Sequence, residues 1–139
     1  MPNWREELVE AAKTKEEREE EERARHRKRV EEALTTAEAA MSLGADALRF
    51  TRDKLGEKLQ KPELSENETK DSFKLSLLEF SLALELVRDS AVIKVTFGES
   101  KPREFDFAKD RHIAPADVEE YVGRRALELV RAAQKAHPW

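Results

Sequence analysis

Cysteine is absent from this chain of 139 residues, which removes disulfides, thiolate zinc sites and cysteine nucleophiles from consideration. Glycine is scarce, and Gly44, Gly56, Gly98 and Gly123 form neither a phosphate-cradling loop nor the surroundings of a nucleophilic serine. His26, His112 and His137 are the only histidines, with no two at the helical spacing of a metal-ligand pair. Asp106, Asp110 and His112 are the one local group of ligand-type side chains, and turn formation accounts for that grouping. Nowhere do about 18 apolar residues run consecutively, and the opening MPNWREELVEAAK lacks a basic segment followed by an apolar one. No membrane insertion, no cofactor and no enzymatic activity are therefore expected, and a cytoplasmic location fits the lack of cysteine.

Charge, by contrast, is abundant. Charged residues make up 40% of the chain and apolar ones 39%, a balance that suggests an elongated shape with much solvated surface. Asn3 suits a helix N-cap, and Trp4, Leu8 and the Ala11/Ala12 pair begin a helical stripe that then disappears. Residues 13–32 are polar all round. Six glutamates lie between Glu16 and Glu22, followed by Arg23, Arg25, Arg27, Lys28 and Arg29 with His26 among them. Glu19 with Arg23 and Glu21 with Arg25 are spaced to support a helix, whereas Glu16 with Glu20 and Arg23 with Arg27 oppose it. A helix of this kind projects into solvent, frays or finds a partner. Two copies paired antiparallel about residues 22 and 23 would set each acidic block against a basic one.

From Val30 the pattern changes to a heptad seam. Leu34, Met41, Leu48 and Leu55 are spaced seven apart, with Val30, Ala37, Gly44 and Thr51 between them. Leu43 and Phe50, with several alanines, widen the apolar surface beyond a two-position seam, so packing onto the chain's own core is as natural as packing onto another helix. The preserved phase predicts a helix continuous through Gly44, ending at the stop signals Gly56 and Pro62.

Residues 73–107 hold five of the six phenylalanines and supply the core. Residues 73–87 fit two templates: Leu, Ala and Glu favour a helix, whereas a strand with one irregularity at Leu77/Leu78 collects Phe73, Leu75, Leu77, Phe80, Leu82, Leu84 and Leu86 on one face. The strand is preferred. Residues 91–98 form a second strand, residues 103–108 a third, and Pro115 opens a C-terminal amphipathic helix that covers the sheet.

The expected fold is thus α+β: a long coiled-coil-like helical arm over residues 1–60, a linker over 61–72, and a small module of three antiparallel strands and a helix over 73–139. The expected function is a protein-protein interaction or scaffold protein that forms a homodimer or larger homo-oligomer. Val30, Leu34, Ala37, Met41, Leu48 and Leu55 are the candidate packing and oligomerisation residues. Arg23, Arg25, Arg27, Lys28 and Arg29 are candidate polyanion contacts under an alternative, nucleic-acid-associated reading. Against that alternative stand the neighbouring glutamates, the net charge of −4 and the absence of interleaved aromatics.

Overall fold

The computed structural model describes residues 3–58 and 60–139. The chain is α+β, with two N-terminal helices, an antiparallel sheet and a C-terminal helix. Helix α1 spans Trp4–Ala11, and the Asn3 side chain accepts from the Glu6 amide at 3.0 Å. Helix α2 spans Lys15–Gly56, 42 residues or about 63 Å of rise. A short break at residues 12–14 separates α2 from α1. Thr14 is the N-cap of a new helix, its hydroxyl accepting from the Glu17 amide at 3.2 Å. Thr14 with Glu17 three residues on is a capping signature, overlooked because the polar run hides any change of hydrophobic phase.

Helix α2 does run through Gly44, and packing explains a glycine there. A Cβ at this position would lie 2.9 Å from Leu84 Cδ2 and 3.5 Å from a Val122 methyl. The glycine gives up about 1 kcal/mol of helix propensity and in exchange lets the helix backbone approach the sheet and the last helix closely.

Five strands follow, not three: β1 (Glu63–Glu66), β2 (Ser72–Leu77), β3 (Phe80–Val87), β4 (Val92–Phe97) and β5 (Arg103–Asp106). They form one antiparallel meander in chain order. Two of these strands were not anticipated, for different reasons. The single irregular strand expected over residues 73–87 is a hairpin, with Leu77 paired to Phe80 across a turn at Leu78 and Glu79. Leu78 takes φ 56, a left-handed conformation ordinarily left to Gly, Asn or Asp, so the turn carries none of the usual residues. Strand β1 lies within the stretch expected to be a linker. Only Leu64 of its four residues faces the core, which leaves too little alternation to recognise.

Register sorts the two faces. Leu64, Leu75, Leu82 and Phe97 stand in one cross-strand row, and Leu86, Ile93 and Phe105 in another, both toward the core. Ser72, Glu85, Lys94 and Glu104 form a row on the opposite, hydrated face, where Lys94 Nζ lies 3.8 Å from Glu104. Helix α3 (Pro115–Ala136) and the second half of α2 both pack against the apolar face. Leu48, Val118, Val122 and Leu129 are fully enclosed there with Leu75, Leu82, Leu84 and Ile93.

Candidate interaction surfaces

The heptad seam is spent inside the chain. Val30, Ala37, Met41, Leu48 and Leu55 are buried against the sheet and α3, and Leu34 packs partly buried against the same cluster. The small residues Ala37, Ala40, Gly44 and Ala45 are buried among them, so helix α2 sits low on the sheet.

Residues 15–29 of the same helix are different. None is buried, and nearly all are exposed. Of the two expected helical pairs, Glu21 with Arg25 forms at 3.5 Å, while Glu19 instead approaches Lys15 at 3.9 Å. Among the described residues, Arg23, Arg27, Lys28 and Arg29 have no carboxylate within ion-pair distance, and Glu16, Glu17, Glu20 and Glu22 have no cationic side chain within it. The corner between α1 and α2 is stapled by Lys13, whose ammonium reaches Glu10 at 2.6 Å and Glu21 at 2.8 Å. Those bonds hold the Glu10 carboxyl below its usual range and raise the Lys13 ammonium above its own, Glu10 being the larger influence on it.

The fold brings part of the basic run to a second basic segment that is remote in sequence. His26 and Arg29 line an open cleft of about 660 Å³ together with Lys109, Arg111 and His112 of the β5–α3 connection. That connection is shaped by its own acids. Asp106 accepts from the amides of Ala108 and Lys109 at 3.2 and 3.1 Å, and Asp110 from the His112 amide at 2.9 Å. The Asp106, Asp110 and His112 group thus serves turn formation, and among the described residues no three His, Asp or Glu side chains are arranged to hold a metal ion. Arg23, Arg25 and Arg27 stay on the helix and border a broad open concavity along it with Arg29.

Among the described residues, two groups of neighbouring apolar side chains stay uncovered. Along the outside of the helical layer, Leu43, Ala47, Phe50, Gly123, Leu127 and Val130 line a groove of about 730 Å³ whose rim carries Asp46, Lys54, Glu119, Glu120 and Arg124. Phe50 is 64% exposed and Leu127 45%. The other surface is α1 itself, which buries no residue and presents Trp4 at 66% and Leu8 at 59% exposure. The groove escaped sequence reading because Leu127 lies off the main stripe of α3; Leu43 and Phe50, outside the seam, were the available signal.

Polar clips also tie the sheet to the helices in the head, the packed part of the chain from Val30 onward. Arg88 joins three elements, donating to Asp71 at 2.7 Å through two nitrogens and to Glu38 of α2 at 2.9 Å. The guanidinium holds the Asp71 carboxyl below its ordinary range. His137, just beyond α3, lies 3.0 Å from both carboxylate oxygens of Glu79 in the β2–β3 turn.

No helix among the described residues is long and apolar enough to cross a membrane. No protein-family model matches the chain, and no curated protein and no solved structure is significantly similar to it.

Proposed function

We propose that this protein is a non-enzymatic interaction or scaffold protein that self-associates through the bare half of α2, as a homodimer or larger homo-oligomer in the cytoplasm. One observation carries this reading: an acidic block followed by a basic block projects from the head, exposed and largely without internal ion pairs. Because the seam from Val30 to Leu55 is occupied within the chain, residues 15–29 are the part of the helix left to meet a second copy. In an antiparallel pair about residues 22 and 23, Glu16 to Glu22 of each chain face Arg23 to Arg29 of the other. A parallel pair would set like charges together.

Attraction between such exposed charges is screened over about 8 Å at physiological ionic strength. The solution mass from light scattering behind size exclusion is therefore expected to correspond to a dimer at low salt and to fall toward the monomer at high salt. A monomer at both salts would refute the proposal.

The joining of His26 and Arg29 to Lys109, Arg111 and His112 favours a second reading, in which Arg23, Arg25, Arg27, Lys28 and Arg29 with this cleft contact a nucleic acid. Retention of DNA or RNA that weakens steeply with salt and is lost in the R27Q/K28Q/R29Q variant would support it. Retention unchanged by those substitutions would remove it.

A further inference from the structure

The basic cleft between α2 and the β5–α3 connection does not end at its basic wall. Next to it, and continuous with it through Arg29, Ala108, Asp110 and Arg111, lies a smaller lobe of about 240 Å³. Ala33, Phe107 and Ile113 give that lobe apolar surface, while Glu32 and Thr36 give it hydrogen-bonding groups. The two lobes form one cleft with a cationic part and a mixed part.

Both walls are held in place by the fold. On one side, Val30 and Ala37 bury helix α2 against the core at the level where Arg29, Ala33 and Thr36 line the cleft. On the other, Phe107 is buried and its amide donates to the Ala91 carbonyl at 3.1 Å, while the Asp110 amide donates to the Asp106 carbonyl at 2.9 Å. With the Asp106 and Asp110 carboxylates accepting from amides of the same connection, Lys109 and Arg111 project from a built turn. A frame already set needs little ordering when a ligand arrives.

Among the described residues, Arg29, Lys109 and Arg111 have no carboxylate within ion-pair distance, although Glu32 and Asp110 line the same cleft. These cations, with His26 and His112 beside them, suit an anion of more than one charge, and guanidinium groups match phosphate oxygens in particular. The smaller lobe, at about 240 Å³, lies below the ~300 Å³ at which drug-sized sites begin. It suits one ring-sized group better than a long acyl chain.

We propose that this cleft binds a phosphate monoester bearing one ring-sized group, of the nucleoside monophosphate kind, with the phosphate held by Arg29, Lys109 and Arg111 and the ring in the smaller lobe. The site goes beyond the nucleic-acid contact along the arm, because it needs none of Arg23, Arg25, Arg27 and Lys28. A free nucleotide and the phosphorylated end of a nucleic-acid strand share this chemistry.

Calorimetric titration of the full-length protein with adenosine monophosphate, and with a short oligonucleotide carrying or lacking a terminal phosphate, tests the site and separates the two sources. Adenosine monophosphate or the phosphorylated strand is expected to bind, with adenosine or the unphosphorylated strand weaker by about ten-fold or more, as loss of charge-assisted hydrogen bonds entails. Lys109→Gln with Arg111→Gln is expected to weaken binding by a similar factor at unchanged melting temperature, since both side chains are exposed. Arg23→Gln with Arg25→Gln and Arg27→Gln is expected to leave it unaltered. Equal loss in both variants would reduce the effect to diffuse charge and remove the site, while leaving the arm's contact with nucleic acid standing. An unphosphorylated strand that binds as tightly as the phosphorylated one, with no response to adenosine monophosphate, would have the same meaning. Inorganic phosphate binding as tightly as the nucleotide would overturn the assignment of the smaller lobe, and no binding of either phosphorylated probe would overturn the proposal whole.

Discussion

Helix α2 is two helices in physical terms. From Val30 to Leu55 it is held by burial, with alanines and a glycine that bring its backbone close to the sheet. From Lys15 to Arg29 it buries no residue, and its helicity rests mainly on the Thr14 cap and i,i+4 ion pairs such as Glu21 with Arg25. The contrast shows that one regular backbone can serve two ends. The packed half makes the head stable, and the bare half presents a charge pattern whose order is available to a partner.

The contrast can be broken most strongly from the packed side. Leu48→Ala removes a fully enclosed side chain from the contact between α2 and the sheet, and should lower unfolding free energy by about 3 kcal/mol in denaturant titration. Gly44→Val comes next. Its added carbons meet Leu84 and Val122, and the strain should outweigh the better helix propensity, for a net loss of about 1 to 3 kcal/mol.

A smaller effect concerns the ionic clip at Glu38, Asp71 and Arg88. The Asp71 carboxyl is depressed in the folded state by its bonds to Arg88. Its contribution to stability is therefore complete above the ordinary carboxylate range and is lost as pH falls through the lower, folded value. Asp71→Asn should flatten the decline in melting temperature at acid pH, below about 4, and leave the alkaline side unaltered. The smallest effect belongs to the bare half. Lys28→Gln with Arg29→Gln should shift the head's melting temperature by less than about 3 °C, measured at high salt where association is suppressed. A large drop there would mean that residues 15–29 also pack, and the two-part description of α2 would fail.

Much of the architecture was legible where burial imposes a period. Ile93, Val95 and Phe97 marked β4, Pro115 marked the start of α3, and the phase from Leu34 to Leu55 carried the helix across Gly44. The apolar alternation from Phe73 to Leu86 even located the β2–β3 hairpin, as an irregularity at Leu77/Leu78. It did not reveal a reversal, because Leu78 adopts a left-handed conformation without the residue types that advertise one. Strand β1 was hidden for the opposite reason: it sits at the sheet edge with a single residue, Leu64, turned inward.

The candidate surfaces divide in the same way. The acid-then-base order of residues 16–29 is a property of the sequence alone, since it needs no fold to exist beyond a helix. Which apolar residues stay uncovered is a property of the tertiary structure. Whether Leu43, Phe50 and Leu127 end in a core or on a groove depends on where α3 settles beside α2, and that is decided by the close approach at Gly44 and the shape of the sheet beneath. Local pattern determined which segments became helices and strands, because each pattern repeats within a few residues. Only the packed structure decided which side of α2 was consumed internally, because that depends on contacts between segments far apart in the chain.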